Sequence, residues 1–319
     1  MLDSFLFSVN TVLPVFFMVI LGAILGKTGF LNDSFTSVSD RLVFRFALPV
    51  LLFLEIVEAD ISASFDVKFI VFCTCGILGV FAVACAVVPL FIKSNPKRGS
   101  YIQGVYRSNF AILGIPMAAN MFGQAGSEKI AMMMPFAIIL FNAIAVIIFS
   151  VFAPKDTGNH DKNVICVILR NVVTNPLIIA VVLALFFQLL PITMPDLMHK
   201  SLSYLSGLAT PLALLCIGAN FKMESLKGRI GLAISASVIK VVIVPLVMIL
   251  LAIAVGLRDA ALGGVLVLFG GPSAVSSYIM AKNMGGDYDL SAQIMLLTTL
   301  MSVVTMFFGT FLLRALQLI

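Results

Sequence analysis

Between Lys68 and Lys93 run 24 residues without one charged side chain, and the chain repeats such runs from end to end. About 20 consecutive apolar residues are enough to cross the hydrocarbon core of a bilayer as a helix. In that medium each backbone N–H and C=O must be satisfied by the backbone itself, so helices and closed barrels are the spanning solutions. These segments are near twenty residues or longer and lack the ten-residue alternation of barrel strands, so helices are expected. Composition agrees. With 61% hydrophobic and 11% charged residues among 319, a soluble fold of this length could not hide its apolar surface. The expected fold class is an all-α integral membrane protein.

Ten spans are expected, over residues 6–26, 36–57, 67–92, 99–122, 129–153, 164–190, 199–221, 229–256, 260–283 and 290–315. The first does not read as a signal peptide, because its N-terminus carries Asp3 and neither Lys nor Arg. Cys73, Cys75, Cys85, Cys166 and Cys216 all fall in apolar segments, and Cys73-Thr-Cys75 is neither a metal nor a redox spacing, so they read as packing residues. Ser127 and Asp289 precede the fifth and tenth spans, where they could cap exposed N–H groups.

The prolines carry an internal repeat. Pro14 and Pro176 lie 162 residues apart, as do Pro49 and Pro211; Pro89 and Pro245 lie 156 apart, as do Pro116 and Pro272. The offset shortens by six where the first half has the longer loop, around 58–64. Four ordered pairs argue for duplication. Five spans per repeat turn the second copy upside down, the inverted-repeat plan of secondary transporters. The expected units are a first five-helix repeat at 1–153, a cytoplasmic linker at 154–163 and a second repeat at 164–319. With the N-terminus outside, twelve loop or helix-end Lys and Arg are cytoplasmic and five external, which supports both termini outside a cytoplasmic membrane. The net charge of +5 reflects that loop bias rather than a nucleic-acid partner.

Two spans are interrupted. The fourth carries Arg107, Ser108 and Asn109 and then Gly114-Ile-Pro116; the ninth carries Gly270-Gly271-Pro272-Ser273. Proline removes a backbone N–H and clashes with the carbonyl four residues back, and glycine lets the chain bend. Helix four is expected to stop near Gly114 and restart at Pro116, helix nine to break at Gly270–Pro272, and the two to cross near the midplane. Paired broken helices in two halves are the sequence pointer to a transporter binding site.

Acidic residues are absent from spans three, four, five, eight, nine and ten, so no carboxylate is expected at the crossover. Asp40 and Glu55 lie towards opposite ends of span two and are expected to be solvated at the two interfaces. The charges inside the spans are positive: Arg107, and Lys240 near the middle of span eight. Each either snorkels to the surface or serves an anion. Restarting helix N-termini with cationic side chains point to an anionic substrate. The candidate substrate-binding set is Arg107, Ser108, Asn109, Gly114, Pro116, Asn120, Asn142, Lys240, Gly270, Gly271, Pro272, Ser273, Ser276, Ser277 and Thr298. No catalytic triad, metal cluster, P-loop or dinucleotide fingerprint is present, so neither catalysis nor a cofactor is expected.

At Tyr106-Arg-Ser-Asn109-Phe-Ala-Ile-Leu-Gly114-Ile-Pro116, Pro272-Ser-Ala-Val-Ser-Ser-Tyr278, Ala281-Lys-Asn-Met-Gly285 and Leu297-Thr-Thr-Leu-Met-Ser302 the chain resembles the auxin efflux carrier family. Leu48-Pro49 and Pro211-Leu-Ala-Leu-Leu-Cys-Ile-Gly218 also resemble family stretches. The resemblance implies ten helices, a crossover of helices four and nine, a scaffold domain, a mobile domain and a homodimer. It also implies that Asn109 contributes to the binding site. Plant members have a long central loop that this chain lacks, and bacterial relatives are associated with small organic acids such as malate or malonate. The expected function is a secondary carrier of a small organic anion. Helices 1, 2, 6 and 7 would form the scaffold, carrying the homodimer contact, and helices 3–5 and 8–10 an elevator-like transport unit. A receptor or sensor, or an anion channel, on the same fold is the alternative. Coupling is expected to need no protein carboxylate at the crossover.

Overall fold

The computed structural model describes residues 2–58, 66–152, 170, 173–190, 194–220 and 229–319, and of 2–13, 15, 111–131 and 189 the backbone only. The expected linker 154–163, Cys166, Lys222 and Lys227 lie outside the described residues, as do the side chains of Pro116, Asn120 and Ser127. All regular structure among the described residues is helical: α1 (Leu2–Lys27), α2 (Asp33–Leu42), α3 (Leu48–Val57), α4 (Val67–Phe91), α5 (Asn95–Tyr106), α6 (Phe110–Val151), α7 (Pro176–Leu189), α8 (Asp196–Gly207), α9 (Ala209–Ala219), α10 (Ile230–Val238), α11 (Val244–Ala254), α12 (Asp259–Gly270), α13 (Ser276–Asn283) and α14 (Tyr288–Ala315). Among the described residues five stretches are long and apolar enough to cross a membrane: Val67–Phe91, Met132–Val151, Asp196–Ala219, Ile230–Ala254 and Tyr288–Ala315.

Side chains at the entries satisfy orphan N–H groups. Asn32 Oδ1 accepts from Phe35 N at 2.8 Å and Asp66 Oδ1 from Phe69 N at 3.0 Å. Asp287 Oδ1 accepts from Leu290 N at 3.0 Å, so the cap of α14 is Asp287 rather than the expected Asp289. Asp289 sits in the first turn and pairs with Arg229 at 3.6 Å. Partial burial alone would depress the Arg229 guanidinium, but its hydrogen bond to Asp287, with the Asp287 and Asp289 charges, holds it above its ordinary range.

Two helices contain a one-turn π segment, at Val43–Ala47 and at Ile239–Ile243. Leu48 N reaches back to Val43 O and Val244 N to Ile239 O, a spacing of five residues. Pro49 and Pro245 follow at once. A proline ring clashes with the carbonyl four residues back, and the widened turn relieves that contact without ending the helix.

Helices α5 and α6 depart from expectation. The chain leaves the helix at Arg107 and re-enters at Phe110, and α6 then runs unbroken through Gly114, Pro116 and Asn120 to Val151. The stop expected at Gly114 and the restart at Pro116 are therefore corrected to a break at Arg107–Asn109. The separate fourth and fifth helices merge after it into 42 residues. At ~1.5 Å per residue that is roughly twice the thickness of a hydrocarbon core. The second break is where the sequence puts it: α12 ends at Gly270 and α13 begins at Ser276.

The buried apolar side chains form two clusters. One gathers α4, α5, α6, α10, α11, α12 and α14 around Phe69, Tyr101, Met133 and Phe269. The other gathers α1, α3, α7, α9 and α13, with part of α6 and α14, around Val43, Ile56, Leu177, Ile217 and Tyr278. In the second, α1 and α9 touch backbone to backbone: a Cβ on Gly218 would lie 2.0 Å from Val19 O, and one on Gly22 2.3 Å from Leu215 O. Outward faces are apolar, as on α4 at Val71, Leu78, Val83, Val87 and Leu90, which suits a lipid surround.

Candidate functional site

The two breaks meet. Asn109 N donates to Pro272 O at 2.7 Å, tying the first break to the second through backbone alone. Arg107 and Gly271 are both extended, with ψ of 131° and 150°, which turns their peptide groups out of the helix ladders. Ser273 N donates to Thr298 Oγ1 at 3.0 Å, and Thr298 in turn donates to Ile294 O at 2.7 Å, so α14 holds the second break. The approach is close enough to require glycine: a Cβ on Gly271 would lie 2.7 Å from Ser108 Oγ and 2.9 Å from Val267 O. Gly270 is confined as well: a Cβ there would lie 2.8 Å from Met306 Sδ.

Arg107 does not snorkel. It is 4% exposed, and its guanidinium bridges three elements. Nη2 donates to Asn142 Oδ1 on α6 at 2.9 Å and to Ser276 Oγ on α13 at 2.8 Å. Nη1 donates to Phe141 O at 3.4 Å and to Met280 Sδ at 3.3 Å. Asn142 is itself oriented by donating to Ile138 O at 2.8 Å. Each of these acceptors is neutral, and Nε has no hydrogen-bond partner. A buried guanidinium held only by neutral groups keeps its full charge without a neutralising anion in contact.

A cavity opens beside it, with about 60 Å³ that water molecules can occupy. Arg107, Ser108, Asn109, Asn142 and Ser276 line it from the first break, α6 and α13, and Leu48, Leu51, Leu52, Glu55, Ala209 and Thr210 from α3 and α9. The structure thus brings together Arg107, Ser108, Asn109, Asn142 and Ser276 from the expected set. Gly270, Gly271, Pro272, Ser273 and Thr298 build the second break behind them rather than the cavity wall. Ser277 is 1% exposed, with its Oγ 3.5 Å from that of Ser273. Lys240 is fully buried, and its ammonium donates to Phe269 O at 3.1 Å, at the C-terminal end of α12 and outside the cavity wall. Gly114, Pro116 and Asn120 lie along α6, and their surroundings are outside the described residues.

Both span-two acids are misplaced by the sequence expectation of solvated ends. Asp40 is 3% exposed, and its Oδ2 lies 2.5 Å from Lys282 Nζ on α13. Lys282 also sits over the rings of Tyr278 and Tyr288, 5.6 and 5.2 Å from their centroids. Glu55 is enclosed by protein yet keeps part of its surface accessible, because that surface is the cavity wall. The signal was available: Leu48, Leu51, Leu52 and Glu55 follow i, i+3, i+4, i+7 and share one face. Among the described residues no three His, Cys, Asp or Glu side chains gather as a metal would require.

The profile of the family described as "Membrane transport protein" matches residues 7–309. An "Uncharacterized transporter" of Methanothermobacter thermautotrophicus is 24% identical over 304 residues, 95% of this chain and 97% of its own. A "Putative malonate transporter" of Rhizobium meliloti is 23% identical over 302 residues, covering 92% of each. A "Lysosomal cholesterol signaling protein" of Mus musculus is 27% identical over 208 residues, 62% of this chain and 23% of the mouse protein. With nearly its whole length matched, the chain belongs to the membrane transport protein family, the auxin efflux carrier family that its motifs resemble.

Proposed function

We propose that the protein is a secondary carrier that moves a small organic anion, a carboxylate, across the cytoplasmic membrane. The observation that carries this reading is the Arg107 guanidinium, buried and held by neutral acceptors beside a small cavity between two broken helices. An anion entering the cavity can hydrogen-bond the guanidinium directly, which Glu55 does not do among the described residues, and Asn109, Asn142 and Ser276 offer donors and acceptors for its oxygens. The malonate named for the Rhizobium meliloti relative is the first substrate to test. The paired prolines and the breaks at Arg107–Asn109 and Gly271–Val275 support ten spans in two inverted five-helix repeats, crossing near the midplane. The first apolar cluster, confined to spans three to five and eight to ten, supports an elevator-like transport unit of those helices against a scaffold of one, two, six and seven, and the second cluster packs the two against each other. The loop charges support both termini outside, and the scaffold is proposed as the homodimer contact.

Counterflow in proteoliposomes tests the reading. Vesicles loaded with malonate should transiently accumulate labelled malonate from outside. A channel equilibrates label without overshoot, and a receptor or sensor on this fold takes up none. Either result would replace the carrier.

A further inference from the structure

Among the described residues the cavity is lined by one cation, Arg107, and one acid, Glu55. They belong to different units of the proposed carrier: Glu55 to α3, Arg107 to the break that meets α13. They interact through charge across the cavity rather than as a contact pair. No hydrogen bond to Glu55 occurs among the described residues. The other charged groups around α3 are engaged or turned away. Glu58, one turn on, is bound to His199 at 2.6 Å. Arg45 is exposed, as are Asp196, Lys200 and Tyr204 on α8. Lys282 on α13 is paired with Asp40. Helices α7 and α9 and the described side chains of α6 bring no charged group.

This arrangement balances when empty, one positive charge against one negative. A bound carboxylate adds a second negative charge beside the same guanidinium. Two carboxylates sharing one site do not both stay ionised, because the excess charge in a weakly solvated space is costly. The cavity can return towards balance by taking a proton on Glu55. We propose that Glu55 is the proton-coupling residue of the carrier: the anion displaces it from the field of Arg107, a proton adds to its carboxylate from the side the anion enters, and both leave on the other side. This inference rests on the carrier reading and replaces the expectation that coupling needs no protein acid. The sign follows. Binding takes up a proton, so affinity falls as pH rises, by up to about tenfold per pH unit where Glu55 changes protonation.

The test is calorimetry of purified protein with malonate above about pH 7.5, where the ligand carboxylates are themselves ionised. Repeating the titration in buffers of different ionisation enthalpy counts the protons taken up. The wild type should take up close to one proton per malonate, with affinity falling as pH rises. Glu55→Gln should bind malonate with no uptake and a flat pH profile, and lose accumulation driven by a pH gradient. Glu55→Asp should restore the uptake with a displaced pH midpoint. Binding by the wild type without proton uptake overturns the inference alone, as does uptake that persists in Glu55→Gln. If Glu55→Gln does not fold, the wild-type count and the Glu55→Asp midpoint decide. Absence of malonate binding by folded wild type, together with absent counterflow, overturns the carrier reading beneath it.

Discussion

Arg107 makes four contacts through its two terminal nitrogens, and that fork is what a lysine cannot reproduce. Arg107→Gln should therefore weaken malonate binding by about 2–5 kcal/mol, the range for removing one partner of a desolvated charge pair. Arg107→Lys should fail nearly as badly, since one ammonium cannot span Asn142 and Ser276 together. Calorimetric titration of the folded variants checks both. Asn109 acts twice, its N–H fixing Pro272 O and its side chain facing the cavity. Asn109→Ala keeps the first role and loses the second, so a loss of roughly 1–3 kcal/mol in binding with an unchanged melting temperature is expected. Gly271 gives the complementary case. Gly271→Ala drives a methyl into Ser108 Oγ and Val267 O and should cost about 1–3 kcal/mol of stability. Adding Ser108→Gly should recover only part of it, because the Val267 carbonyl is backbone. Thermal unfolding in detergent measures both.

At the scale of the element, the second break was legible and the first only in part. Gly270-Gly271-Pro272 unites a flexible pair with a residue that cannot continue the ladder, and α12 ends there. Gly114-Ile-Pro116 has a similar composition, yet α6 passes through it. Proline is a weak stop in this protein: Pro14 and Pro89 also lie inside helices, and Pro49 and Pro245 are absorbed by π turns. The break at Arg107–Asn109 contains neither proline nor glycine. It is held by partners far along the chain, Asn142, Pro272 and Ser276, which no local pattern announces. The same limit hid Asp40, whose surroundings come from other helices, whereas the face that carries Glu55 was legible in its local spacing. Lys240 lies in the second π turn and binds the Phe269 carbonyl in the last turn of α12, where a cation also suits the helix dipole. Lys240→Met leaves that carbonyl without its donor. It should lower thermal stability by about 1–3 kcal/mol while leaving the preference between mono- and dicarboxylates unchanged. A changed charge preference in a stable Lys240→Met protein would instead place this ammonium in the field of the substrate.

Among the described residues the two proposed units are joined by a polar contact in which the acid is buried, the Asp40–Lys282 pair. Asp40 belongs to α2, in the proposed scaffold, and Lys282 to α13, in the proposed transport unit. Tyr278 steadies the lysine and is itself reached by Asn220 Nδ2 at 3.2 Å, so scaffold and transport unit share one polar knot. An elevator displacement must part these charges in each cycle. Asp40→Asn keeps the shape and removes the attraction. It should raise the rate of malonate counterflow severalfold with little change in half-saturation, as stopped-flow exchange can measure.

The consequence is one of timing. A contact made of packed apolar side chains resists sliding about equally wherever it is cut, but a single ion pair resists only its first ångströms and then lets go. The carrier would therefore wait in the arrangement described here and cross quickly to the other. Its dwell time would be set at Asp40 and Lys282, neither of which lines the cavity.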